Sequence, residues 1–228
     1  MASIELKLQQ LRQRIVDACT LAQRPVQSVT LLAVSKTFAA DAVREAQGAG
    51  QRAFGENYVQ EALAKIDALA DLRPALEWHL IGPLQSNKTR EVAAAFDWVH
   101  TVDRLKIAER LSAQRPQQLP PLQVCVQVNV SGEASKAGVA PAEAAVLARA
   151  VAALPRLRLR GLMSIPEPAE GIDAQRAPHC RLRELFDALR SEGLALDTLS
   201  MGMSADLEAA IVEGSTMVRI GSAIFGAR

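Results

Sequence analysis

The chain is 228 residues long, 49% of them hydrophobic, with 26 Lys and Arg against 25 Asp and Glu for a formal net charge of +1. The near balance argues against a nucleic-acid or anionic-membrane surface as the main partner, because such binding draws on an excess of clustered basic residues. The hydrophobic content is ordinary for a globular protein and too rich for a disordered one, and a folded chain of this size buries roughly 70–75% of the surface it exposes when unfolded.

The N-terminal MASIELKLQQLRQRIVDAC is interrupted by Glu5, Lys7, Arg12, Arg14 and Asp17, so it predicts neither a signal peptide nor a membrane span. Cys19, Cys125 and Cys180 are odd in number, far apart and outside any C-x-x-C pair, the usage of reduced thiols in a cytoplasmic protein. Residues 3–22 space Ile4, Leu8, Leu11, Ile15 and Ala18 for an amphipathic leading helix. From Val29 the pattern changes to short apolar runs of the kind a strand buried on both faces requires. They fall at 29–35, 52–55, 76–81, 98–102, 122–130, 157–164, 196–201 and 216–220. Between them lie helical segments at 39–49, 57–70, 86–96, 103–115, 141–153, 173–192 and 204–213, the clearest carrying Leu182, Leu185, Phe186 and Leu189 on one face. Pro116 to Pro121 is a loop.

Strict strand-then-helix alternation predicts a parallel sheet, because parallel neighbours need a crossover. Eight such units in about 200 residues fit a closed (β/α)8 barrel, with an open doubly wound sheet as the competitor. No composition shift or linker marks a boundary, so residues 1–228 are expected to form one domain. Gly48-Ala49-Gly50-Gln51-Arg52-Ala53 matches the dinucleotide fingerprint G-x-G-x-x-A in an inverted context. That fingerprint follows a strand and opens a helix, whereas these glycines close a helix and lead into a strand, as a C-cap and turn do.

In a barrel, chemistry gathers where strands end. Lys36 ends the first strand on the same side as Leu32 and Val34, while Ser35 faces away. An inward lysine loses charge on burial and becomes a nucleophile toward carbonyls; the alternative is an exposed lysine that merely ends the strand. After the seventh strand, Ser200-Met201-Gly202-Met203-Ser204 precedes a helix predicted from Ala205, and after the eighth come Arg219-Ile220-Gly221-Ser222. The turn at Ser204 and the amides of Gly221 and Ser222 are candidate anion cradles. Ser204 is expected as a helix N-cap, a ligand contact or both, and Asp206 as an acid complementing the helix dipole. Arg219 faces as Gly221 does, with an ion pair to a barrel carboxylate as its structural alternative. His79, on one face with Glu77 and Ile81, and Asn57, opening the second loop, are pocket candidates or satisfied core polar groups. His100 and His179 sit in no spaced cluster of metal ligands.

Several blocks together carry a resemblance: Ala33-Val34-Ser35-Lys36-Thr37, Phe54 to Glu61 (FGENYVQE), Trp78 to Lys88 (WHLIGPLQSNK), Val128 to Gly138 (VNVSGEASKAG), Gly161-Leu162-Met163, Ser200 to Asp206 (SMGMSAD) and Val218-Arg219-Ile220-Gly221. In these residues, from the first strand to the C-terminus, the chain resembles the YggS/PROSC family, the pyridoxal phosphate homeostasis proteins. The resemblance implies a single TIM barrel of the alanine racemase N-terminal type, with pyridoxal 5′-phosphate (PLP) held as an internal aldimine on Lys36. It implies phosphate contacts at Ser204, Gly221 and Ser222, Arg219 toward the pyridine nitrogen, and Asn57, His79 and Met203 among the pocket residues. An arginine is always protonated, so it leaves that nitrogen unprotonated and the ring a weak electron sink.

Related racemases use a tyrosine base from a second domain; here the only tyrosine is Tyr58 and the length accommodates little beyond one barrel. The implied function is cofactor storage or delivery with little or no turnover, by a cytoplasmic monomer whose partners are PLP and PLP-dependent apo-enzymes. Lys136 is a candidate for transient cofactor handling. The competing readings are a slow amino-acid racemase acting through the same aldimine, and a phosphate-sugar barrel enzyme whose Lys36 attacks a substrate carbonyl.

Overall fold

The computed structural model describes residues 2–132 and 137–226. Ser3 caps the first helix, α1 (Ile4–Leu21), by accepting from the Leu6 amide at 3.2 Å, and Leu8, Leu11, Ile15 and Ala18 form its buried stripe. The strands are β1 (Thr30–Val34), β2 (Ala53–Glu56), β3 (Glu77–Leu80), β4 (Trp98–Val102), β5 (Leu122–Gln127), β6 (Leu157–Met163), β7 (Thr198–Ser200) and β8 (Met217–Ile220). They pair in sequence order, all parallel, and β1 closes on β8 with Leu32 opposite Arg219. The closed barrel is thus the architecture, and the open sheet is excluded. The crossovers carry α2 (Ala40–Gly48), α3 (Val59–Ala68), α4 (Thr89–Ala95), α5 (Leu105–Gln114), α6 (Pro141–Ala152), α7 (Ile172–Ser191) and α8 (Leu207–Val212). No helix among the described residues is long and apolar enough to cross a membrane.

The boundaries differ from expectation where local chemistry ends an element early. The helical segment expected over 57–70 stops at Ala68, and a 3-10 turn over Ala70–Ala75 carries Pro74 into β3. The strand expected over 122–130 ends at Gln127, beyond which Val128 makes only an isolated bridge to Val139. A short helix absent from the sequence reading, α9 (Ser222–Phe225), follows β8. The inverted glycine fingerprint is a turn: α2 ends at Gly48 and Gly50 takes φ of +84° before β2.

Alternation along each strand divides the apolar residues in two. One set, including Phe54, Trp78 and Val124, packs between sheet and helices; the other, Leu32, Ala53, Trp98, Cys125, Met163 and Met217 among them, fills the barrel. Each large side chain so buried contributes about 1.5–3 kcal/mol. The floor of the barrel is closed by polar contacts. Arg160 lies 4.8 Å over the Trp98 ring, donates to both oxygens of Asp197 at 2.7 and 2.8 Å and to Gln123 at 2.9 Å, while the Trp98 indole donates to Glu77.

Arg115 stitches the shell. Buried at the end of α5, it donates to the carbonyls of Ala93, Phe96 and Pro120 at 2.7, 2.8 and 2.9 Å, satisfying the end of α4 and fixing the loop 116–121. Arg115→Ala orphans those carbonyls, and we expect it to lower the unfolding free energy by on the order of 3–5 kcal/mol in urea titration. A loss within 1 kcal/mol would show that water replaces the guanidinium.

Candidate functional site

The carboxyl ends of the strands open on a cavity of about 520 Å³, a size typical of small-molecule sites. Lys36, Asn57, Met203, Ser204, Arg219, Gly221 and Ser222 line it, with Val34, Phe38, Ile81 and Ile165 as its apolar wall. The sequence-predicted residues therefore converge, with His79 as the exception. Lys36 is half-buried just beyond β1, and the alternation of the strand carries past its end: Val34 and Lys36 border the cavity, while Ser35 turns outward and donates to Glu56 Oε1 at 2.6 Å. Asn57 follows β2 directly. Its backbone is pressed by Gly82, where a Cβ would stand 2.1 Å from the Asn57 carbonyl oxygen, so only glycine permits this approach of the two loops.

Arg219 is buried, with 4% of its surface exposed. No carboxylate pairs with it among the described residues, which corrects the ion-pair alternative. Its guanidinium donates instead to two neutral acceptors, the Ser200 hydroxyl and the Ser164 carbonyl, each at 2.8 Å. Burial lowers its pKa to about 10 against the opposing fields of Asp206 and Cys125, so it remains protonated at neutral pH.

His79 does not line the cavity; it lies deeper in the barrel, in a hydrogen-bonded row that ends on Arg219. Its Nδ1 is 2.9 Å from His100 Nε2, and His100 Nδ1 is 2.8 Å from the Ser200 hydroxyl. Arg219 can only donate, so the Ser200 hydroxyl accepts from it. Beyond Ser200 each contact joins groups that can take either role, with one hydrogen between Ser200 and His100 Nδ1 and one between His100 Nε2 and His79 Nδ1. His79 Nε2 lies 3.6 Å from Glu77, beyond hydrogen-bond distance. Burial holds both imidazoles neutral: His79 falls to about 3, and His100 lies well below its usual value, pushed further by His79 and Arg219.

The anion-cradle loop departs from the expected capping. Helix α8 begins at Leu207, so Ser204 is no N-cap; Asp206 holds that position without a capping bond. Asp206 does other work: one oxygen accepts from the Met203 amide at 2.6 Å and the other meets His179 Nε2 at 2.9 Å. Burial opposes ionisation of Asp206, but those bonds and the fields of His179 and Arg219 outweigh it and hold its pKa below the ordinary value. Gly202 is required beneath the loop, with φ of +93° and space for no Cβ, since one would lie 2.5 Å from Ala210 Cβ. Arg14 of α1 reaches the same loop, donating to the Ser204 carbonyl at 3.2 Å and to both oxygens of Glu208. On the other side of the mouth, Phe38 packs on Phe225 with ring centres 5.1 Å apart.

The residues missed in the sequence are those that hold others: His100, Ser200, His179 and Arg14. One signal was present, for His79 and His100 occupy inward positions of adjacent strands. Lys136 lies outside the described residues.

The alanine racemase N-terminal domain model matches residues 6–228. A pyridoxal phosphate homeostasis protein of Pseudomonas aeruginosa is 62% identical over 228 residues, covering 100% of this chain and 97% of that protein. One from Escherichia coli K12 is 56% identical over 229 residues, covering 100% and 98%. PipY of Synechococcus elongatus, solved with PLP bound, superposes with a TM-score of 0.86 at 40% identity, covering 98% of this chain and 100% of that one.

The neutral histidine pair gives the protein an acid limit. Unfolded, each imidazole takes up a proton near pH 6.5, whereas folded His79 resists protonation to about 3 and His100 resists likewise. Over that window the unfolded chain binds more protons, so stability falls as pH drops, by roughly 1 kcal/mol per pH unit for each histidine. Urea unfolding at pH 7, 6 and 5 should show the decline, with a shallower slope in His79→Gln; equal slopes in the two proteins would contradict it.

Proposed function

The chain belongs to the YggS/PROSC family, the pyridoxal phosphate homeostasis proteins built on the alanine racemase N-terminal barrel, and on that premise we propose that it binds PLP at the barrel mouth. In this reading the cofactor is attached to the Lys36 amine as a Schiff base. The protein is then a store that keeps intracellular vitamin B6 in balance with little or no turnover. The observation that carries the reading is the chemistry of the lining. Among the described residues, the titratable side chains that line it are Lys36 and Arg219, both cationic groups in their ordinary state. A cavity so lined fits an anionic ligand with an aldehyde and a basic ring nitrogen.

When bound, PLP supplies an aldehyde that condenses with a primary amine, releasing one water, and a ring that can accept electrons. Arg219 is the partner proposed for the ring nitrogen. Its buried guanidinium stays protonated and only donates, so the nitrogen accepts and the ring draws electrons weakly. Ser204 and the amides of Gly221 and Ser222 would hold the phosphate in this reading, and Asn57 and Met203 would line the pocket around it. His79 acts at one remove, through His100 and Ser200 on Arg219. The Asp206 carboxylate lies near this cradle, but its oxygens are engaged by Met203 and His179.

Racemisation requires a second base on the opposite face of the substrate. Tyr58 is 55% exposed and does not line the cavity, which supports holding over turnover. The proposal extends to a cytoplasmic monomer that passes PLP to PLP-dependent apo-enzymes.

Purified protein mixed with PLP should develop a visible absorption band, and borohydride should fix the cofactor on Lys36. Lys36→Ala should lose the band and bind at least about tenfold more weakly, a change of 1.4 kcal/mol. A wild type without the band would overturn the reading. Deuterium from solvent should enter the α-carbon of added amino acids no faster than with free PLP; faster exchange would instead establish turnover.

A further inference from the structure

The residues on either side of Lys36 carry two features that holding a cofactor does not by itself explain. Thr37 has φ of +67°, a left-handed conformation that β-branched side chains adopt only where the surroundings impose it. Behind the same three residues, on the outer side of the barrel wall, lies a set of buried charges. Lys65 of α3 donates to Glu56 Oε1 at 2.6 Å, to the Ser35 carbonyl at 2.8 Å and to Glu61 Oε1 at 3.2 Å. The Ser35 hydroxyl donates to Glu56 Oε1 at 2.6 Å, and the Thr37 amide donates to Glu61 Oε1.

These contacts converge on the peptide units that flank Lys36. The Ser35 carbonyl on one side is tied to Lys65, and the Thr37 amide on the other to Glu61. Glu56 and Lys65 are almost wholly inaccessible, with side chains 0% and 4% exposed, whereas Glu61 closes the set at the surface with 32%. Taking such charges out of water is costly, and a buried ion pair is weak evidence for a gain in stability over apolar packing. What this one achieves is geometric. It grips both ends of the lysine backbone and supplies the acceptor that keeps Thr37 in its unfavourable conformation.

We propose that Glu61, backed by Lys65 and Glu56, is a positioning residue: it clamps the backbone on both sides of Lys36 and holds Thr37 left-handed, so that the lysine side chain is aimed into the cavity. The clamp then governs how tightly PLP is held and how quickly it leaves. This inference rests on the reading of Lys36 as the attachment point. Glu61 acts through backbone and touches no ligand.

Removing Lys65 would strand Glu56 as a buried charge and risk the fold, so the test is made at Glu61 and Thr37. In Glu61→Ala the PLP dissociation constant should rise about tenfold or more, release should accelerate, and the visible band should titrate at a shifted pH. Glu61→Gln keeps an acceptor for the Thr37 amide and should stay within about threefold of wild type. Glycine adopts the left-handed conformation without penalty, so in a Thr37→Gly background the Glu61→Ala change should weaken binding by less than about threefold. Unchanged affinity and release in Glu61→Ala, or a full tenfold loss in the Thr37→Gly background, would overturn the clamp. Hydrogen exchange in the cofactor-free protein reads the clamp separately. The Thr37 amide should be protected in wild type and exchange faster in Glu61→Ala, and equal rates would also overturn it. A wild type that binds no PLP but passes the exchange test would instead defeat the reading of Lys36 and leave the clamp standing.

Discussion

A guanidinium enclosed by a barrel has to be satisfied, and Arg219 is satisfied without a carboxylate. Its acceptors are a hydroxyl and a carbonyl, so its charge is not cancelled locally and remains available to whatever occupies the cavity. That choice propagates inward. Because arginine only donates, the Ser200 hydroxyl accepts from it and links it to His100 and, through His100, to His79. A single obligatory donor thereby ends a row of polar groups drawn from three other strands, and low pKa values keep its histidines neutral.

Most of the cavity lining comes from loops, and two of these, after β1 and β7, are held from outside the barrel. The β7 loop is gripped by Arg14 of α1 and by His179 of α7 through Asp206. The β1 loop is gripped by α3, through Lys65 and Glu61. The β2 loop is pinned by contact with Gly82. Helices that would otherwise only cover the sheet thus act as braces, which is how residues beyond the strand ends acquire the rigidity of the strands.

Much of this architecture is legible in the sequence because it depends on local pattern. The alternation of apolar runs with helical segments implies the barrel, and period-2 counting places Val34 and Lys36 on the cavity side with Ser35 behind them. The inverted glycine fingerprint is resolved by its flanks alone. What pattern cannot supply is pairing between distant side chains. Ser204 before a helix resembles a cap, yet the helix starts three residues later because Asp206 is committed to His179 and Met203. Lys65 sits where a solvated helix position would be expected, and only the folded barrel reveals Glu56 beside it. The same holds for His79, whose inward position was readable but whose depth was not: the cavity floor stops above it.

The grip of Arg14 on the Ser204 carbonyl joins residues 190 positions apart. Such a contact forms only after both distant segments have been made, and pairing of β8 with β1 shares that requirement. During synthesis the amino-terminal helix therefore emerges long before the loop it braces, and Lys36 is exposed to the cell well before Arg219 exists to face it. The cavity that Lys36 and Arg219 share is therefore complete only once β8 has been made, an order set by topology alone.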